Sequence, residues 1–93
     1  MKRELSEEES NRIRRNGLDL SEKHLQMRML ARLDLYKIKK IFEEGKIYQV
    51  GNYKYRAVLR FGDVTAFMIF ERILQNNVLK TVGVTRSKGD RWD

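Results

Sequence analysis

The chain has no cysteine, no proline, one histidine and six glycines in 93 residues. Without cysteine there is no disulfide, no thiolate nucleophile and no zinc-finger ligand set, and the composition fits a reducing, cytoplasmic setting. No apolar run approaches the roughly 20 residues of a membrane span. The charged start is not followed by a signal-peptide core, so no membrane partner is expected. The glycines sit singly or at turns, which excludes a phosphate-cradling loop. No carboxylate cluster has metal-ligand spacing, and neither a metal nor a cofactor is expected. A chain of this length allows one domain.

What is abundant is positive charge. Twenty Lys and Arg face 13 Asp and Glu, a net charge of +7. Residues 1–20 carry five basic and five acidic groups, residues 21–45 six against four, and residues 46–93 nine against four. The excess therefore falls in the second half, where a local basic surface can steer a polyanion, and nucleic acid is the first candidate.

Ser6 followed by Glu9 reads as a capping box, with Arg12, Arg14 and Arg15 closing the helix and Asn16-Gly17 stopping it. Its apolar content is thin, which predicts a mostly solvated N-terminal helical extension over residues 1–20. Ser21 reads as the cap of a second helix to about Arg32, with Leu25, Met29 and Leu33 at i, i+4 and i+8. Asp34 reads as the cap of a third over 35–44, with Leu35, Ile38, Ile41 and Phe42 on its apolar face and Gly45 at its end. Beyond Gly45 the period changes to two, predicting strands over 46–50, 53–61, 64–75 and 78–85, with turns at Gly51-Asn52, Gly62-Asp63 and Asn76-Asn77. This organisation predicts an α+β domain over 21–86, two or three N-terminal helices packed on a four-stranded antiparallel meander, and a flexible basic tail over 87–93.

Turn positions set the register. With Gly62-Asp63 as the loop, Tyr53, Tyr55, Ala57, Leu59 and Phe61 face the helices, opposite Phe70, Met68, Ala66 and Val64. Across Asn76-Asn77, Glu71 should meet Val82 and Ile69 should meet Val84. The outer face then mixes Val58, Phe67, Ile69, Val82 and Val84 with Lys54, Arg56, Arg60, Lys80 and Arg86. Such a face suits nucleic acid, a protein partner or a second copy of the chain.

One cluster has catalytic character. His24, Arg28 and Arg32 fall at i, i+4 and i+8 along one helical edge. RNA cleavage needs a base for the 2′-hydroxyl proton, cations for the charge growing on phosphate and an acid for the leaving oxygen. A surface histidine without a role is the plain alternative. The run from His24 through Arg28 and Met29 to Arg32, followed by an apolar helix, Gly45 and strands, resembles a small family of unknown function with the signature H-x3-R-M-x2-R. That family is grouped by fold with RelE, colicin D and barnase-like ribonuclease toxins. The resemblance covers roughly residues 20–86. It departs at Leu33-Asp34, where the family usually has glycine, and in the added N-terminal helix. It implies a RelE-like fold, a metal-independent RNA-directed activity carried by His24, Arg28 and Arg32, and an antitoxin partner. Two readings stand: a small RNA-binding or RNA-cleaving, toxin-like domain with Lys54, Arg56, Arg60, Lys80 and Arg86 on nucleic acid, or a non-catalytic phage or mobile-element protein that binds a host protein or nucleoprotein. A homodimer through the outer sheet face fits either.

Overall fold

The computed structural model describes residues 2–20 and 33–86; the expected helix from Ser21 to about Arg32 and the tail over 87–93 lie outside the described residues. Helix α1 (Glu7–Arg14) starts as its capping box requires. Glu9 N–H donates to Ser6 Oγ at 3.1 Å, and Ser6 N–H donates to Glu9 Oε1 at 3.1 Å. Helix α2 (Leu35–Glu44) is capped by Asp34, whose Oδ1 accepts from Lys37 N–H at 2.9 Å. Gly45 ends it because nothing larger fits. A Cβ at that position would stand 2.6 Å from both the Ile41 and the Val58 carbonyl oxygens.

The expected four-stranded meander under two or three N-terminal helices is corrected here. Among the described residues there are two helices and a six-stranded mixed sheet: β1 (Arg3–Glu4), β2 (Leu18–Asp19), β3 (Lys46–Gln49), β4 (Lys54–Phe61), β5 (Val64–Ile73) and β6 (Asn76–Arg86). The spatial order is β1-β3-β4-β5-β6-β2, antiparallel throughout except for β2, which runs parallel to β6. Both added strands come from the first 20 residues and form the sheet edges. Each is two residues long, too short to show a period of two, and each is placed by contacts distant in sequence.

The hairpin β4–β5 has the predicted register, from Phe61 opposite Val64 to Lys54 opposite Glu71. Gly62 has φ +65 at the first loop position, as a type II′ turn demands. Between β5 and β6 the expectation fails. The turn is Leu74-Gln75, not Asn76-Asn77, so that Ile73 pairs with Asn76 and Glu71 with Val78. A bulge then adds Lys80 between Leu79, opposite Phe70, and Thr81, opposite Ile69. Val82, expected on the outer face, therefore lies opposite Met68 and is buried, and Val84 lies opposite Ala66.

The reason is Asn77, which is fully buried. Its Nδ2 donates to the carbonyls of Ile13 (2.9 Å) and Gly17 (2.7 Å), and its Oδ1 accepts from Arg72 Nη1 at 2.9 Å. The Ile13 carbonyl, in the last turn of α1, also accepts the Asn16 N–H at 3.2 Å, and Asn77 adds a second donor from the sheet. The same clasp draws the chain after α1 alongside β6, where it becomes β2. An asparagine spent this way cannot also form the turn.

One cluster forms the core. Ile38, Ile41 and Phe42 of α2 pack on Ala57, Met68 and Phe70, joined by Leu5, Ile13, Leu33, Ile47, Leu79 and Val82. Phe42 meets Phe70 edge-on and Tyr55 stacks on Phe70, both with ring centroids 5.5 Å apart. Tyr53, whose parity predicts a core position, is instead 70% exposed, because it lies in the bend before β4. The N-terminal segment is docked. Arg14 donates from Nε to the Phe42 carbonyl (3.0 Å) and from Nη2 to the Gly45 carbonyl (2.6 Å), so α1 caps the end of α2.

Candidate nucleic-acid interface

The sheet face away from α2 is built by strand alternation. On β4 it carries Lys54, Arg56, Val58 and Arg60, and on β5 Phe67, Ile69, Glu71 and Ile73, with Thr65 on the same parity but buried. Two of its rows cross four strands. Tyr48, Arg56, Ile69 and Thr81 form one, and Lys46, Val58, Phe67 and Gly83 the next. Phe67 lies flat across the strand beside it: a Cβ on Gly83 would come within 2.7 Å of its ring carbons. Glycine thus gives the ring a seat on β6, and the floor of the face is aromatic and aliphatic.

The cations have distinct settings. Lys54 is exposed opposite Glu71. Arg56 is half-buried between Tyr48 and Ile69. Arg60 is exposed at the far end, its Nε donating to the Gly62 carbonyl at 2.9 Å. Lys80 is the extra residue of the β6 bulge, off the regular alternation, and the backbone of Arg86 pairs with Val64, in the register row of Phe61 rather than that of Arg60. The structure therefore gathers Lys54, Arg56 and Arg60 down one strand. His24, Arg28 and Arg32 lie outside the described residues.

Two cations escaped the sequence reading. Lys46 is exposed opposite Val58, with Glu4 3.5 Å from its ammonium. Lys2 holds its Nζ 5.0 Å from the centre of the Tyr48 ring, within cation–π range. Lys46 follows from parity once β3 is registered on β4. Lys2 has no such signal, because it reaches the face through β1.

A concavity of about 590 Å³ opens between α1, the end of α2 and β3. Its arginine, Arg14, is already committed to the α2 carbonyls and to Asn11 Oδ1 at 3.0 Å, which leaves the sheet face as the better polyanion surface. Among the described residues no three His, Cys, Asp or Glu side chains stand together as a metal site, and no helix is long and apolar enough to cross a membrane. No protein-family model, curated protein or solved structure matches the chain.

Proposed function

We propose that the protein is a small basic domain that binds single-stranded RNA on the outer face of its sheet. The observation that carries this is the β4 column, in which Lys54, Arg56 and Arg60 line one face beside Tyr48, Val58 and Ile69. Cations neutralise phosphates, while an aromatic and apolar floor accepts base faces without selecting a sequence. Shape favours a single strand over a duplex. Strands β3 to β6 span about 14 Å at ~4.8 Å per strand, wider than the ~12 Å major groove of B-DNA. The major groove of A-form RNA is narrower still and closed to side chains.

Cleavage of the bound strand is the catalytic extension of this reading. It rests on the sequence spacing of His24, Arg28 and Arg32, with His24 as base or acid and the arginines on phosphate. His24→Ala should then lower RNA cleavage about 10²–10⁴-fold, the span of a general acid or base, with binding retained. Cleavage unchanged by that substitution removes the extension and leaves the binding domain.

The binding test is fluorescence anisotropy on a labelled 12-nucleotide oligouridine across a salt series. About four phosphate contacts predict a log–log slope of roughly −3, at about −0.7 per contact. Arg56→Ala should weaken binding to all sequences alike and reduce the slope by about one. An affinity indifferent to salt overturns the reading in favour of a protein partner.

A further inference from the structure

The β5–β6 hairpin overshoots its neighbour. Tyr53, just before β4, accepts the Arg72 N–H at 2.9 Å, whereas β5 continues through Ile73 into Leu74-Gln75. Both turn residues adopt positive φ, Leu74 at +52 and Gln75 at +70, the pattern of a type I′ turn that normally calls for Asn and Gly. A leucine there carries left-handed backbone strain, yet its side chain is 91% exposed. Ile73, next to it in the chain, is 45% exposed, and Tyr53, whose carbonyl accepts the Arg72 N–H, is 70% exposed. Ile73 follows Ile69 and Glu71 on the outer face, so the Leu74-Gln75 turn stands just beyond the end of the candidate RNA surface. Lys54 begins that surface directly after Tyr53, and Arg72 holds the base of the tip through Asn16 (3.1 Å) and Asn77 (2.9 Å).

Size decides what such a tip fits. Three side chains are far from the roughly 20–30 residues a side of a stable protein interface. One apolar wedge with a neighbouring aromatic is enough to engage a single base step, as wedges do in architectural nucleic-acid proteins.

Resting on the RNA-binding reading, we propose that the Leu74 tip, with Tyr53, abuts the closing base pair where a single strand meets a duplex, so that the preferred ligand is an RNA hairpin with a single-stranded tail. The tail lies along the β4 column, and the tip stacks on or parts the terminal pair. Strain at the tip is retained because the side chains favoured in a type I′ turn would remove the wedge.

The test compares three labelled probes at one salt concentration: the oligouridine 12-mer, a blunt RNA hairpin, and the same hairpin with a 12-uridine tail. The tailed hairpin should bind about tenfold tighter than the 12-mer, in keeping with one added stacking contact. The double substitution Leu74→Asn, Gln75→Gly should cut that preference below about twofold while leaving 12-mer affinity unchanged. The melting temperature should hold or rise, which separates loss of the wedge from loss of the fold. Tyr53→Ala should reduce the preference in the same direction. A tailed hairpin bound no tighter than the 12-mer overturns the proposal, as does a preference that survives the double substitution. If none of the probes binds, the RNA reading itself fails and the wedge with it.

Discussion

The two hairpins that share β5 form an instructive pair. In β4–β5, the loop residues are those the backbone asks for, Gly62 with φ +65 followed by Asp63, and the register runs unbroken over eight pairs. In β5–β6, the residues suited to a turn, Asn76 and Asn77, are inside the strand, and Leu74 and Gln75 bend in their place. A bulge then realigns β6 against β5. Local turn chemistry decides a hairpin when nothing else competes for its residues. Here the Asn77 side chain is fully buried and its amide is committed to two carbonyls between α1 and β2, each hydrogen bond worth about 1 kcal/mol, so it is not available to the loop.

Breaking the second hairpin at Asn77 should have the largest effect. Asn77→Ala removes the amide that bonds the Ile13 and Gly17 carbonyls, together with a partner of Arg72, and leaves the Ile13 carbonyl with the Asn16 N–H at 3.2 Å. A loss of about 3 kcal/mol is expected, from summed hydrogen-bond and desolvation costs, read as a lower denaturant midpoint. Asn77→Asp should be no rescue, because it keeps the acceptor and loses the donor that the two carbonyls need. If either variant is as stable as the parent, the clasp does not set the register.

Gly45→Ala tests the other anchor of the helical layer and should cost about 2 kcal/mol, within the range for overpacking. Its Cβ would press on two backbone oxygens, which cannot swing aside as a flexible side chain can.

The second turn can also be repaired. Leu74→Asn with Gln75→Gly gives the second turn the chemistry of the first and should stabilise the fold by about 1 kcal/mol through relief of left-handed strain. Gly62→Ala should destabilise the first turn by a similar amount, although the space around it is open, because φ alone is at issue. Opposite signs from the two turns would confirm that one is matched to its residues and the other is not.

The smallest effect belongs to Glu9. The Ser6 backbone N–H, with Arg3 nearby, holds its carboxyl below the ordinary carboxylate value. A lowered folded-state pKa contributes stability that is complete above the unfolded value and is lost as pH falls through the folded one. Stability of the parent should therefore decline toward acid more steeply than that of Glu9→Gln. Parallel pH profiles would show that this exposed box adds no measurable proton linkage.

Much of the molecule could be read from local pattern. The capping pairs Ser6–Glu9 and Asp34 on Lys37, the apolar stripe Ile38, Ile41 and Phe42, the stop at Gly45 and the Gly62-Asp63 register all follow from residues within a few positions of one another. So does the column of Lys54, Arg56 and Arg60, since alternation on a registered strand is a local rule. Tyr48 and Lys46 join that column as soon as β3 is paired.

Tertiary structure decided the rest, for one physical reason: the determining contact lies far along the chain. Arg3–Glu4 is a strand because Gln49 and Tyr48 pair with it, and Leu18–Asp19 because Asn77 and Val78 do. No two-residue segment carries a period from which this could be read. Asn77 looks like a turn residue until the Ile13 and Gly17 carbonyls, 64 and 60 positions away, are seen to need its amide. Tyr53 has core parity, but in the bend before β4 it is left exposed. Periodicity assigns a side chain to a face; whether that face is covered, and which strand lies beside it, is settled only when distant segments compete for the same buried hydrogen bonds.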